Sequence, residues 1–482
     1  MVINKIIVCP VCGKRTLVRI ENGGYLASYP IRVNCLNCKT LMKGEFNMRE
    51  SQNKGFHMLN ARIEEPEAES SVDGVAVTNA DYIAEVSGEL PCACVKENGG
   101  SLPLPPFMKA VNTEKGKASM VSYIERLKLF SPQLEKWKKH EQIAFQLLDD
   151  GSLEYIGKAL DDHLGKYSYI CDNTIKKLEC LQTVVLNDTQ YLFFDGEQDK
   201  LVKSIINNLS EFDNHEILDF IKMIGGIKQL IADYRKIIEV FSEFMNIYSY
   251  LLPAEFFMKY SDDNSSEYAI STCSFTDIKS FYQDAYETCL SMMYLPVCLD
   301  NRKERNDFIV FSSKYSKTRP WTDKRQKLND DLAKYKSLDN GMKLTLINNG
   351  EDFQNLVNIK ADGQLRNGIG HNNYVYDGIT QEIITFDKKK PDKTTSNNKL
   401  ISIAIECIGL VKSSVAISEM IMFLLRAAYR QENDTTIMDL HFYKNANRKA
   451  KCPCGSGIIY KNCCEKEVNN ILKMYHFTHP NG

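Results

Sequence analysis

The stretch Arg366-Asn367-Gly368-Ile369-Gly370-His371-Asn372-Asn373-Tyr374 sets the reading of this chain, because it puts a guanidinium, a carboxamide and an imidazole into one short polar segment. Arginine is permanently charged and grips a phosphate through two N–H groups, while histidine titrates near neutral pH and moves a proton. Together they suit RNA cleavage. The imidazole removes the ribose 2′-hydroxyl proton, that oxygen attacks the adjacent phosphorus, and the guanidinium stabilises the crowded phosphorane without a metal. Asn367 would orient either partner through its carboxamide. The competing reading is a polar network at a helix end that serves structure alone.

The flanking residues set the local structure. Asn348-Asn349 are expected to cap a helix that starts near Glu351, with Phe353, Leu356 and Val357 on one side and Leu365 and Ile369 continuing it. Gly363, Gly368 and Gly370 weaken this helix, so Arg366 falls in its last turns and His371 at or just past its end. Residues five apart on an ideal helix stand about 140° apart, so convergence requires a bend or a second subunit. Tyr374 to Phe386 alternates as a hairpin around Asp377-Gly378, and the basic loop KKKPDK leads to a long apolar helix after Asn398.

Arg366, Asn367 and His371 match the Arg-Asn-x-x-x-His motif of the HEPN superfamily, which this segment resembles, and NNYVYDGITQEIITF after it is similar to Abi-type HEPN proteins of phage defence. The resemblance implies a helical bundle with Arg366, Asn367, His371 and Tyr374 at the site. It implies a metal-independent endoribonuclease, an antiphage abortive-infection effector acting on mRNA or tRNA under a protein or phage-derived trigger. It also implies a site completed by two facing units, hence a homodimer whose second His371 acts as general acid. Ile401, Ile405, Ile408, Val415 and Met422 could supply the self-complementary face, or simply core. HEPN proteins that modify partners by nucleotide transfer tend to carry Tyr two places after the His; here Asn373 stands there, which disfavours that version.

Composition bounds the rest. With 60 basic and 62 acidic residues the net charge is −2, so nucleic-acid contact must come from a local patch. Of 16 cysteines, four lie within residues 9–38 and four within 452–464, a clustering that points to metal ligands in a reducing compartment. Cys9-Pro10-Val11-Cys12 and Cys35-Leu36-Asn37-Cys38 form two knuckles suited to tetrahedral zinc, and the intervening TLVRIENGGYLA reads as a hairpin around Asn22-Gly23. This resembles a zinc ribbon, whose metal either only holds a small fold or presents a nucleic-acid surface. At the other end Cys452-Pro453-Cys454-Gly455 with Cys463-Cys464 resembles the SEC-C zinc motif, with Arg448, Lys449, Lys451 and Lys461 making it basic. Two structural zinc ions are therefore expected, with none serving catalysis.

Between these ends, Ala118 to Leu252 reads as successive helices, Phe275 to Leu295 as another closed by Pro296, and Arg302 to Lys327 as a basic segment. There Arg302, Lys303, Arg305, Lys317, Arg319, Lys324 and Arg325, with Trp321 for stacking, are candidate RNA contacts, or equally a solvated face. His140, the Asp161-Asp162-His163 run, Cys92 and Cys94 are expected to be surface or packing groups. No phosphate-binding Gly-rich loop, nucleophile elbow or Rossmann pattern is visible. Glu406, Lys412 and Glu419 interrupt the most apolar segment, Leu400 to Tyr429, and Met1 to Val8 reaches Cys9 too soon for a signal peptide, so a cytoplasmic, non-membrane protein is expected. The anticipated architecture is mainly α and multi-domain: a zinc ribbon (1–50), a β-rich or partly disordered connector (51–115), a helical domain (116–252), a HEPN-like helical domain (253–435) and a SEC-C motif (440–482). The alternative function is a non-catalytic, zinc-stabilised nucleic-acid- or protein-binding adaptor on an inactive HEPN scaffold.

Overall fold

The computed structural model describes residues 2–21, 23–50, 55–71, 74–100, 102–112, 114–150, 174–193, 196–260, 268–311, 332–347, 351–360, 362–388, 390, 392–433, 447–450, 458–463, 465 and 466. The fold is mixed rather than mainly α, because the amino-terminal quarter is built of strands. The chain divides into two units: residues 1–135, 242–287 and 359–411 form the first, and 136–241, 288–358 and 412–482 the second.

In the first unit, β1 (Val2–Val8), β2 (Arg15–Glu21), β6 (Arg62–Glu64), β9 (Tyr82–Ser87) and β10 (Lys96–Glu97) form a sheet of order β10-β9-β2-β1-β6. A second sheet joins β3 (Ser28–Asn34), β4 (Leu41–Asn47) and β5 (Phe56–Met58) in sequence order. Alternation in β1 sends Ile3 and Ile7 to a core with Val18, Ile20, Ile31, Val33, Met42 and Phe46 between these sheets. Ile6, Val8, Leu17 and Ile83 fill the opposite face.

Two expectations are corrected here. The Asn22-Gly23 stretch is not a hairpin, since β2 pairs with β1 and β9 while β3 pairs with β4. Each Cys-x-x-Cys knuckle is itself the hairpin turn, so the segment between them crosses from sheet to sheet. Residues 56–97 carry the strands expected of a β-rich stretch, but strands there join the amino-terminal sheets rather than lie apart as a connector. Strand β5 pairs with β4, β6 with β1, and β9 runs parallel to β2 from Thr16↔Tyr82 to Glu21↔Ser87.

Residues 106–111 and 114–150 form α1 (Pro106–Val111) and α2 (Glu114–Asp150). Helices α3 (Thr174–Thr189), α4 (Glu197–Leu209), α5 (Asn214–Ile224) and α8 (Tyr294–Arg305) belong to the second unit, whereas α6 (Gly226–Tyr260) and α7 (Phe275–Met292) each run from one unit into the other. Four of the unit boundaries fall within α2, α6, α7 and the last long helix, and the fifth follows Asn358. Helix α5 shows why helices form where periodicity placed them: Asp213 and Glu216 make a capping box, Ile217, Phe220, Ile221 and Ile224 are buried, and Gly225 ends the helix at φ 116°. The expected closure of a 275–295 helix by Pro296 is shifted, since α7 stops at Met292 and Pro296 lies in the first turn of α8, where a missing N–H costs nothing.

Short helices α9 (Leu332–Lys336), α10 (Asn340–Ile347) and α11 (Asp352–Val357) follow. The helix expected from Glu351 through Ile369 is two. Asn358 turns left-handed at φ 48° and ends α11, and a new helix, α12 (Gly363–Gly370), starts at Asp362. Asn348 and Asn349, the expected caps, lie outside the described residues. The start of α11 is capped from another helix: buried Asp300 of α8 accepts N–H bonds from Phe353 (2.8 Å) and Gln354 (3.0 Å).

Strands β11 (Tyr374–Asp377) and β12 (Glu382–Phe386) form the expected hairpin, and β13 (Thr394–Lys399), not anticipated from the sequence, completes a three-stranded sheet before α13 (Leu400–Asn433). Helix α13 is long and apolar enough to cross a membrane, but 72% of its most apolar window is buried within the protein. Its interrupting charges are matched: Glu406 accepts from Tyr282 Oη (2.9 Å), Lys412 faces Glu197 (3.7 Å), and Glu419 accepts from Gln182 (2.6 Å).

Candidate functional site

Four thiols converge at the tips of the β1–β2 and β3–β4 hairpins. The Sγ atoms of Cys9, Cys12, Cys35 and Cys38 lie within 4.8 Å of one another, with Cys9–Cys38 at 3.4 Å and Cys12–Cys35 at 3.5 Å. A tetrahedral zinc with Zn–S near 2.3 Å holds its sulfurs about 3.8 Å apart, so the cluster fits that ion.

The two knuckles repeat one backbone design. Cys9 N–H donates to Lys14 O and Cys35 N–H to Thr40 O, while Gly13 N–H returns to Cys9 O and Lys39 N–H to Cys35 O. Gly13 (φ 71°) and Lys39 (φ 61°) occupy the same left-handed position, so the second knuckle makes a lysine do what glycine does in the first. Thr40 holds the Cys38 thiol down to about 6, and the Lys14 amide lowers that of Cys12, whereas burial pushes Cys35 up to about 12. Donors aimed at sulfur favour thiolates, the form a metal takes.

The Arg366 segment lies on α12, whose start is fixed by a polar network. The Asp362 side chain caps Gln364 N–H (2.7 Å) and accepts from Asn398, its own N–H donates to Glu406, and Tyr282 Oη donates to its carbonyl and to Glu406. Burial raises the Glu406 carboxyl.

The end of α12 is equally determined. Asn372 N–H bonds Ile369 O (3.1 Å), Asn373 N–H bonds Gly368 O (2.8 Å), and Asn372 sits at φ 53°. This is a Schellman closure with asparagine, not glycine, in the left-handed place. The glycines serve other ends. A methyl on Gly368 would stand 2.5 Å from Thr385 Cγ2, so its absence lets α12 sit directly on β12.

As the spacing predicts, Arg366 lies in the last turns of the helix and His371 caps it. The Arg366 side chain runs along the axis towards Gly370, where a methyl would meet Nη1 at 3.6 Å. The guanidinium thus lies beside Gly370, and the next residue, His371, is exposed at the helix end. Asn367 Oδ1 accepts from Arg366 Nη1 at 3.4 Å.

Two partners were not visible in the sequence, and both come from α7. Glu287 forms an ion pair with Arg366. Lys279 Nζ donates to Tyr374 Oη at 3.2 Å, and the Tyr374 ring stands edge-on to Phe275 at 5.2 Å. Lys279 and Glu287 are separated by two turns of helix, about 12 Å along its axis. The only sequence signal for them was the polar side of an amphipathic helix.

The basic segment is different in kind. Arg302 pairs with Glu216, Lys303 with Asp352 (2.6 Å), and Arg305 grips Glu351 through both terminal nitrogens (3.0 and 3.2 Å). These three charges pair with carboxylates within the second unit and fasten α8 to its neighbours. Lys317, Arg319, Trp321, Lys324 and Arg325 lie outside the described residues, as do Cys452, Cys454, Cys464 and the Asp161–His163 run. Cys92 is buried and its segment bridges to Ala269, in keeping with a packing role.

Around Cys463 the described residues form a small closed turn. Arg448 pairs with Glu465, Tyr460 is buried, and Tyr460 N–H bonds Ala450 O. The model of the SEC-C motif matches residues 448–466. No curated protein and no solved structure matches the chain.

Proposed function

We propose that the chain is a metal-independent endoribonuclease of HEPN type, with Arg366 and His371 at its site, and that it acts as a defence effector. The observation supporting this reading is the end of α12, where the Arg366 guanidinium lies beside Gly370 and His371, the capping residue, is exposed. In the reaction His371 removes the 2′-hydroxyl proton, the oxygen attacks phosphorus, and the P–O5′ bond breaks with proton delivery to the leaving oxygen. A second His371 in a two-fold dimer is the proposed donor. Asn367 orients Arg366. The incoming phosphate competes with Glu287 for the guanidinium, and Lys279 beside Tyr374 supplies a second cation, with no carboxylate partner among the described residues.

A non-catalytic adaptor is the second reading, favoured by the same Arg366–Glu287 pair, which offsets the guanidinium's charge without any ligand. The readings separate on purified full-length protein with single-stranded RNA or tRNA in EDTA, at times too short for zinc loss. Cleavage leaving 2′,3′-cyclic phosphate ends, abolished by His371→Ala, is expected. Lys279→Ala should weaken RNA binding and lower the salt slope by about 1. Products with 3′-hydroxyl ends, or undiminished cleavage by His371→Ala, would overturn the nuclease reading.

A further inference from the structure

The second knuckle is fastened to two elements that flank the Arg366 site, α7 and the β11–β12 hairpin, all within the first unit. On β3, Arg32 grips Asp277 through Nε (2.9 Å) and Nη2 (3.4 Å), with side-chain exposures of 10% and 13%. Asp277 is also the carboxylate that accepts from Ser274 N–H and Oγ at the start of α7, the helix that carries Lys279 and Glu287. Arg32 N–H bonds Ser271 O in the segment leading into that helix. At the knuckle tip, Lys39 Nζ meets Asp377 at 2.5 Å, and the Asn34 side chain packs on Gly378, where a methyl would stand 2.3 Å from its Nδ2. Asp377 and Gly378 form the turn of the hairpin that follows His371. The far side of that turn is held by Gln381, which donates to Ile270 O (2.7 Å) and accepts from Ile270 N–H (2.8 Å).

We infer that Arg32, Asn34 and Lys39 are positioning residues, through which metal held by Cys9, Cys12, Cys35 and Cys38 sets the placement of α7 and the β11–β12 hairpin around Arg366 and His371. The consequence for catalysis rests on the nuclease reading, but the coupling itself does not. Metal closes the knuckle by holding Cys35 and Cys38 against Cys9 and Cys12; without it the turn that carries Lys39 loses its constraint, and the hairpin loses its anchor on that turn. The surface pair Lys39–Asp377 is weak alone. The buried Arg32–Asp277 pair is the stronger link, because removing one partner leaves a desolvated charge. Linkage is reciprocal, so loosening these contacts must also weaken metal binding, by roughly 5- to 150-fold for couplings of usual size.

The test is hydrogen exchange on the full chain, zinc-loaded and after chelation. Peptides covering 374–386 and 275–287 are expected to lose protection together with 28–47. Retained protection at 374–386 and 275–287 while 28–47 exchanges freely would overturn the inference. As a second measurement, zinc competition against a chromogenic chelator uses the full chain with Cys452→Ser and Cys454→Ser to silence the carboxy-terminal motif. Asp277→Asn and Arg32→Lys should weaken zinc at least fivefold, and Lys39→Asp should be rescued by Asp377→Lys; unchanged affinity in all of them would count against the coupling. Neither readout involves RNA, so absence of cleavage would sink the nuclease reading and leave this coupling standing.

Discussion

Replacing Gly368 and Gly370 separately by alanine tests whether close packing holds α12 on β12. In an unobstructed helix interior, Gly→Ala stabilises by about 0.8–1 kcal/mol. At Gly368 the new methyl would lie 2.5 Å from Thr385 Cγ2 and 2.7 Å from Thr385 Cβ. Thr385 is fully buried, and its Oγ1 shares hydrogen bonds of 2.8 Å with the hydroxyls of Thr395 and Ser396, so it cannot swing aside freely. Overpacking of this kind costs about 1–3 kcal/mol, which meets or exceeds the propensity gain and leaves Gly368→Ala between neutral and about 2 kcal/mol destabilised. Gly370 is exposed and its methyl would meet only Arg366 Nη1 at 3.6 Å, so Gly370→Ala should stabilise by about 0.4–1 kcal/mol. Urea unfolding, with exchange of peptides spanning 363–373 and 382–399 to localise the change, should rank Gly370→Ala above wild type and Gly368→Ala at or below it. A Gly368→Ala protein as stable as Gly370→Ala would refute the close-packing argument.

Asp300 should make stability fall with rising pH. Burial raises its carboxyl from 3.8 to about 7, so the folded protein keeps a proton that the unfolded chain has released; the contribution is greatest below about pH 4 and is lost progressively up to about pH 7, on the order of 4 kcal/mol at most. Asp300→Asn should flatten that slope while costing about 1–3 kcal/mol for one amide left without its acceptor, and identical urea midpoint shifts between pH 5 and 8 in both proteins would contradict it. Elemental analysis of carefully purified protein should find two zinc ions, one of them lost in Cys9→Ala. Chelation should melt the amino-terminal sheets while the second unit's helices persist, since structural zinc contributes on the order of 10 kcal/mol or more; an intact near-native spectrum for residues 1–50 after metal removal would argue against a structural ion.

What the sequence determined by itself was local. Cysteine spacing defined the knuckles, because a metal loop is closed by four residues and their immediate backbone. Periodicity and a capping box placed α5, and the same local reasoning put Arg366 near a helix end, His371 at it, and a hairpin after it. Tertiary structure decided whatever depended on partners distant in the chain. The parallel pairing of β2 with β9 and the absorption of residues 56–97 into the sheets follow from burying apolar faces that only the folded chain brings together. The break at Asn358 lies in a segment whose helical pattern continues through it, and the cap at Asp300 comes from another helix. Arg302, Lys303 and Arg305 read from sequence as a run of positive charge, and only the fold places Glu216, Asp352 and Glu351 opposite them. Glu287, Lys279 and the grip of Arg32 on Asp277 were likewise out of reach, because a charge in a linear sequence shows its sign but not the group that the fold will place against it.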